Sequence, residues 1–459
     1  MKKFEEVYND LNSVTMIITN RCNLACDYCF ERSKGNIDMD VDTALEIVDR
    51  TYNKVLMPNQ RFTYNLFGGE PMVNWKVVKA ILDHINAKHY NAQVGITTNM
   101  THMTDEMLDY IDDNDVFILA SIDGIKEMHD LHRKDHGGNG SFDTVIKNMQ
   151  KMIDRGLAHL LEARMTVTPE NAKYMYDGVK MLIDMGVNNI CPIAASDLEW
   201  NEEALQDYKE SYEKTLELYL QILNDTENHR NINIKHIDDI IGTALEPEVS
   251  DTKMCHIGNK YWLCVDWNMD IYPCHNFPTT DLDFLKEMKI GNMRTGIDES
   301  KVSCEAKQAK FEMEECNTCE ARVICKSGCP FQNMTENHDF YTPTKGYCDI
   351  QRVLVNSAMK FRDELLSAEN IRSRKLNVLI ENLKLKKYFD DEVKNADIVD
   401  IGFRMKLDRF LELYNNLEYK GNVIPSFNDY FTYQLSLLTA IIATVNNSSL
   451  DDLEETNAK

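Results

Sequence analysis

Between residue 14 and about residue 195 the chain repeats one kind of unit six times, a short β-branched run followed by an amphipathic stretch. The runs are "VTMIIT", "FTYNLF", "VGITT", "VFILASI", "LEARMTV" and "NNICPI". Between them lie patterns such as "DVDTALEIVDRTYNKVL" and "WKVVKAILDHINAKH", whose apolar residues recur at three and four, as on one face of a helix. Strand-helix units in series call for a parallel sheet with helices outside it. Six fall short of the eight of a closed barrel, so the expected fold class is α/β, a partial (β/α)6 TIM barrel over residues 1–230. In such sheets the chemistry sits at the carboxyl ends of the strands.

After the helical stretch "NEEALQDYKESYEKTLELYLQILND" the texture changes. Residues 231–350 are cysteine-rich with few periodic runs, as in a small domain held by metal rather than by a large core. Residues 351–459 read as an α-helical C-terminal extension. The formal net charge of -25 argues against a nucleic-acid partner, and the longest apolar run, "LSLLTAIIATV", is too short to span a membrane. With no apolar N-terminal segment beside a basic flank, the expectation is a soluble cytoplasmic protein.

Thirteen cysteines in such a chain favour metal or cluster ligation over disulfides. Three of them, Cys22, Cys26 and Cys29, follow the first strand, where a site is expected, and nine lie between Cys255 and Cys348. A structural zinc site takes four ligands, but the first group offers three and no nearby histidine. A cubane iron-sulfur cluster held by three thiolates keeps one iron open for a small chelating molecule. A zinc knuckle with a distant fourth ligand is the other reading.

These residues resemble a known family. "CNLACDYC" has the CxxxCxΦC form of radical S-adenosylmethionine (SAM) enzymes, with Tyr28 in the aromatic position. The resemblance implies a 4Fe-4S cluster on Cys22, Cys26 and Cys29 whose open iron binds SAM, giving a 5'-deoxyadenosyl radical that abstracts hydrogen from substrate. It implies that "GGEP" (Gly68, Gly69, Glu70 and Pro71) meets the cofactor's ammonium. Thr98 and Asn99 of "TTN", Ser121 and Asp123 of "SIDG", Arg133 and Arg164 are implied in the ribose and carboxylate pockets; each reads equally as a satisfied turn or cap. Relatives often carry glycine after the asparagine, whereas Met100 stands here, so that loop is expected to follow a different path.

"CNTCEARVICKSGC", CxxCx5CxxxC at residues 316 to 329, is similar to the SPASM extension of the same family, which holds two auxiliary 4Fe-4S clusters. By that resemblance Cys255, Cys264, Cys274 and Cys329 bind the first and Cys316, Cys319, Cys325 and Cys348 the second, making three clusters in all; Cys304 and Cys191 are left over. Two zinc ions would also fit the spacing. The family usually has glycine five residues before Cys274, and here it is Met269, so the turn is not expected to depend on a positive φ.

The resemblance implies a peptide maturase. "YPCHNF", with His275 where sulfatase-maturing enzymes commonly carry aspartate, points to crosslinking of a ribosomally made precursor peptide through cysteine thioethers. His275 would act as a base or pack beside a cluster. Formylglycine formation in a sulfatase is the alternative, and a zinc-stabilised binding scaffold without catalysis the alternative of another class. Implied partners are the precursor peptide, an electron donor such as flavodoxin or ferredoxin, and a separate leader-binding protein or the helical tail in its place.

Overall fold

The computed structural model describes residues 2–8, 11–31, 34–52, 61–224, 262–302 and 313–367, with 232–235, 237, 240 and 257 between them. Cys255, Cys304, the basic run at 372–387 and the rest of the expected helical tail lie outside the described residues.

The six expected strands form as β1 (Ser13–Thr19), β2 (Phe62–Gly68), β3 (Ala92–Thr98), β4 (Phe117–Ser121), β5 (Leu161–Val167) and β6 (Asn189–Ala194). They pair in sequence order and all in parallel. The helices α1 (Val41–Thr51), α2 (Trp75–Ala87), α3 (Asp105–Asp113), α4 (Phe142–Asp154) and α5 (Met175–Met185) follow the first five strands. Their ends are written locally: Asp40 accepts from the Thr43 amide and Thr104 from the Met107 amide, while Gly186 closes α5 in the left-handed conformation.

Alternation along the strands separates two faces. On β2, β3 and β5 every second residue is buried, and these residues share one core with the apolar faces of the helices. The intervening row, which includes Asn65, Phe67, Glu162 and Arg164, is only half-buried. Phe67 of β2 packs on His275, and the charge of Arg164 on β5 reaches the same ring, so the half-buried row lines the inside of a curled sheet.

The cysteine-rich residues after 261 are continuous with this sheet. β8 (Trp262–Val265) lies parallel to β1 with Cys264 opposite Thr15, and β9 (Asp270–Tyr272), β10 (Gly291–Asn292) and β11 (Gly296–Ile297) continue antiparallel. Together with β7 (Asn233–Ile234) beside β6, they make an eleven-stranded sheet that is open among the described residues. Leu263, Val265, Ile271 and Ile297 enter the same core as the barrel strands. Beyond them, α7 (Pro330–Asn337) starts at Cys329, and α8 (Lys345–Ser367) carries Cys348 and packs along α6 (Glu202–Asn224). No helix among the described residues is long and apolar enough to cross a membrane.

One expectation about loops is corrected, at Met269, and Met100 shares its conformation. Met269 has φ +62° and Met100 φ +60°, the left-handed region that glycine enters most cheaply. Both side chains are fully buried. Apolar burial of a methionine, about 2 kcal/mol, exceeds the roughly 1 kcal/mol of a single left-handed residue, so the conformation is kept without glycine. Hydrogen bonds hold both turns: the Met269 amide donates to Asp266 O at 3.0 Å, and Met100 O accepts from Asn148 Nδ2 at 2.7 Å.

Candidate functional site

The residues after β1 form a loop bearing Cys22, Cys26 and Cys29, each half-exposed. The loop is fixed by backbone contacts from other elements. Ala25 N donates to Lys134 O at 2.7 Å, and His136 Nε2 lies 3.0 Å from Cys22 O. Lys34 Nζ donates to Leu24 O at 3.3 Å and faces the three thiols. Burial pushes the Cys22 thiol up to about 11, so binding a metal there must release a proton.

Gly68 and Gly69 bring β2 against this loop. Gly68 has φ +133°, and a Cβ at either glycine would collide with backbone oxygens, Thr19 O and Arg21 O respectively. Gly69 N donates to Thr19 O at 3.0 Å and Glu70 N to Arg21 O at 2.8 Å, tying the two strand ends. Pro71 opens a short 3-10 turn that Glu70 caps. The Glu70 carboxylate is buried, and its oxygens accept from Met72 N (3.0 Å), Thr98 Oγ1 (2.7 Å) and Asn99 N (2.6 Å). Burial pushes its pKa up to about 7 against these donors. Asn99 Nδ2 in turn donates to Asn23 Oδ1 at 2.9 Å, linking β3 to the cysteine loop.

Tyr28, Asp123 and Arg133 come together as one buried network. The fully buried Asp123 carboxylate accepts from Tyr28 Oη (2.5 Å), Arg133 Nε (2.9 Å) and Nη2 (3.0 Å), and Thr166 N (2.9 Å). A carboxylate with four donors is well compensated for its burial. The guanidinium also lies 5.4 Å from the Tyr28 ring centroid. The arrangement pins the aromatic residue of the cysteine loop to β4 and β5.

Ser121 ends β4, opposite Arg164 of β5. Arg164 Nη1 donates to the Cys191 thiol at 3.2 Å, so this buried cysteine, left over from the expected clusters, has a cationic partner. Facing them is an aromatic wall: His275 packs on Phe67 (centroids 4.7 Å apart), Phe30 (6.1 Å) and Trp262 (6.4 Å). Burial, then the Arg164 charge, pushes the His275 pKa down to about 4, leaving a neutral imidazole at pH 7. His275 Nδ1 is 3.9 Å from Cys274 Sγ.

The second cysteine field divides into two places. Cys264, Cys274 and Cys329 share one apolar cluster with Ile17, Tyr272, Phe277 and Phe331. Cys316, Cys319, Cys325 and Cys348 line a single pocket with Arg322 and Arg352. Among the described residues no three or more His, Cys, Asp or Glu side chains converge as ligands of one ion would. A cubane's thiolates each hold a different iron and so surround a volume rather than converge on a point. Buried, unpartnered atoms fit an inserted group as well: Glu31 Oε1 beside the first loop, and Asn276 Oδ1 and Thr279 Oγ1 just after Cys274.

Sequence reasoning missed Glu31, Lys34, Phe30, Phe67 and Trp262. A charged pair five residues or fewer beyond the last cysteine of the triad was the available signal for Glu31 and Lys34. The aromatic wall had none, because it is assembled from β2, β8 and two loops.

Residues 16–182 match the model of the Radical SAM superfamily. An uncharacterised protein of Methanocaldococcus jannaschii is 33% identical over 175 residues, 38% of this chain and 59% of that protein. The cysteine-type anaerobic sulfatase-maturating enzyme of Clostridium novyi is 25% identical over 374 residues, 73% of this chain and 95% of the enzyme. The fold is similar to that of native anSMEcpe with bound AdoMet, with TM-score 0.61, 20% identity and coverage of 77% of this chain and 98% of the other.

Proposed function

We propose that this chain, which carries a radical SAM domain over residues 16–182, is an enzyme that modifies a peptide by hydrogen abstraction and installs crosslinks, through cysteine thioethers, in a ribosomally made precursor. The radical SAM family binds a 4Fe-4S cluster and SAM, which when bound supply a 5'-deoxyadenosyl radical. Cys22, Cys26 and Cys29 would hold the cluster, with the Asp123 network fixing Tyr28 between two of them. Gly68 and Gly69 keep the β2 end clear for a close-lying cofactor. Cys264, Cys274 and Cys329, with Cys255, would hold a second cluster behind the aromatic wall. Cys316, Cys319, Cys325 and Cys348 would hold a third, near the surface.

The observation that carries the crosslinking reading is His275. Sulfatase-maturing enzymes commonly place an acid there, and this chain has a neutral imidazole packed among Phe30, Phe67 and Trp262. Such a ring orients by packing and can donate one hydrogen bond and accept another; it does not supply a negative charge. Peptide entry from the open side of the sheet would bring a backbone between this wall and Arg164.

A second reading, formylglycine formation, is favoured by the long match to the sulfatase-maturating enzyme. Anaerobically purified chain, given SAM, a strong reductant and a cysteine-rich candidate peptide, separates the two. Formation of 5'-deoxyadenosine with loss of two hydrogens per link supports crosslinking. Conversion of one cysteine to an aldehyde supports the second reading, and no deoxyadenosine at all defeats both.

A further inference from the structure

Asn99, buried just beyond β3, carries an amide whose two ends face different neighbours. Its Oδ1 accepts from Thr101 N at 3.0 Å and from Thr101 Oγ1 at 2.6 Å. Nδ2 lies on the other side, where it donates to Asn23 Oδ1 at 2.9 Å and stands 3.9 Å from Cys22 Sγ. Exchanging the oxygen and nitrogen would set Nδ2 against the Thr101 N–H, donor against donor, so the backbone of Thr101 fixes the orientation. The main chain of the residue is pinned as well, since Asn99 N donates to Glu70 Oε2 at 2.6 Å.

Cys22 therefore meets N–H groups from two directions. Leu24 N approaches its sulfur at 3.4 Å from within the loop, and Asn99 Nδ2 reaches it from the end of β3. Asn23 Nδ2 holds the loop on the same side by donating to Thr101 Oγ1 at 2.7 Å. Resemblance would give Asn99 to the SAM pocket, but its amide already directs both hydrogens at the loop and its oxygen at the turn. A donor aimed at a thiolate stabilises the sulfur most when the sulfur carries the most negative charge. In an iron-sulfur cluster that is the reduced state, so N–H groups on the sulfurs raise the reduction potential.

We propose that Asn99 tunes the cluster on Cys22, Cys26 and Cys29, raising its reduction potential by donating Nδ2–H to Cys22 Sγ. The proposal rests on the reading above, that this loop holds a cluster. Asn99 acts through Cys22, so it is a positioning residue. Asn23 is its control, because the Asn23 side chain meets the Asn99 amide and Thr101. Lys34, the cation facing the three thiols, is the same in every protein compared.

The test is a potentiometric titration of the full chain, loaded with clusters and free of SAM, followed by electron paramagnetic resonance. The signal of the first cluster is the one missing from protein whose Cys22, Cys26 and Cys29 are all alanine. Asn99→Leu is close in shape but has no N–H. It is expected to move that midpoint to more negative potential, lowering the reduced fraction at a fixed potential by about threefold or more, the worth of one net hydrogen bond. Asn99→Asp keeps the acceptor that Thr101 uses, loses the donor and adds a negative charge, so it should shift the midpoint the same way and further. It carries the test if Asn99→Leu fails to load iron. Asn23→Ala cuts the contact between loop and amide but leaves the N–H over Cys22, and the midpoint should stay in place. Midpoints unmoved by the Asn99 variants overturn the proposal, and so does an equal shift in Asn23→Ala, which would make the amide a clamp on the loop. Loss of the first cluster from both Asn99 variants overturns it too, since the amide would then form the site rather than tune it. Equal iron in wild type and in the triple-alanine protein defeats the reading of the loop itself, and the proposal falls with it.

Discussion

Two methionines and one histidine carry the sharpest consequences at the scale of single residues. Met269 lies at φ +62° with its side chain fully buried. Replacing it with alanine removes the packing and keeps the strain, whereas glycine removes both. Met269→Gly is therefore expected to be the more stable of the two by about 1 kcal/mol, the reverse of the usual order inside regular structure, and urea unfolding measures the difference. A more stable alanine variant would show that the backbone relaxes. His129 is buried, with Nε2 2.9 Å from Ser141 Oγ and Nδ1 accepting from Asp123 N at 3.3 Å. Burial, then the Arg133 charge, holds its pKa down to about 4, against about 6.5 when unfolded. The unfolded chain thus binds more protons between those values. The stabilisation from the neutral ring is complete above about pH 6.5 and is lost toward pH 4, by about 3 kcal/mol in all. His129→Gln should flatten that part of the stability profile, and equal slopes would remove His129 from the account. Neither feature could be read from sequence: Asn99-Met100 and "DWNMD" were visible as departures from glycine, but what a methionine does at such a position depends on the core it can reach.

Elements explain which parts of the site were legible. The β2 end carries Gly68 to Pro71 and the β3 end Thr98 and Asn99, and a chain written as alternating strands and helices puts such groups on one rim wherever the sheet is parallel. The strand "WLCV" was not legible, since four residues hold no period long enough to count and the pairing of β8 with β1 spans about 250 residues of sequence. That pairing brings Cys264 to the sheet interior. Packing between elements gives a further prediction at Gly178 in α5, which crosses the turn after β4 so closely that a Cβ there would lie 2.8 Å from Gly124 Cα and 2.9 Å from Met165 Cε. Gly178→Ala gains up to about 1 kcal/mol of helix propensity but overpacks this contact at a cost of roughly 1–3 kcal/mol. The variant is expected to unfold at lower denaturant. Because Gly124 follows Asp123, it should also weaken the hold on Tyr28, read as a change in the near-UV circular dichroism of the tyrosines.

At the scale of the whole molecule, ten of the eleven cysteines among the described residues fall into three places that the chain reaches from distant segments: the loop after β1, the apolar cluster behind β8, and the pocket between residues 316–325 and α8. The first is written within one short stretch, residues 22 to 29, whereas spacing alone groups Cys329 with Cys316, Cys319 and Cys325, and it is the resemblance that exchanges Cys329 for Cys348. The second needed the sheet, since Cys264, Cys274 and Cys329 meet only when β8 and β9 pair and α7 folds back. If each place holds a cubane, anaerobically purified chain carries about twelve irons with matching sulfide, and a triple alanine replacement of Cys22, Cys26 and Cys29 leaves about eight. Cys348→Ala should also leave about eight, yet with an added effect the first variant lacks. Cys348 lies on α8, which packs along α6, so a cluster held there would tie residues 316–325 to the helical layer. Its loss should lower Tm while SAM binding survives, whereas the triple variant should lose SAM binding with little change in Tm. Two zinc ions and no sulfide in the wild type would break this pattern at its first measurement, and an iron count unmoved by Cys348→Ala would take that residue out of the third centre.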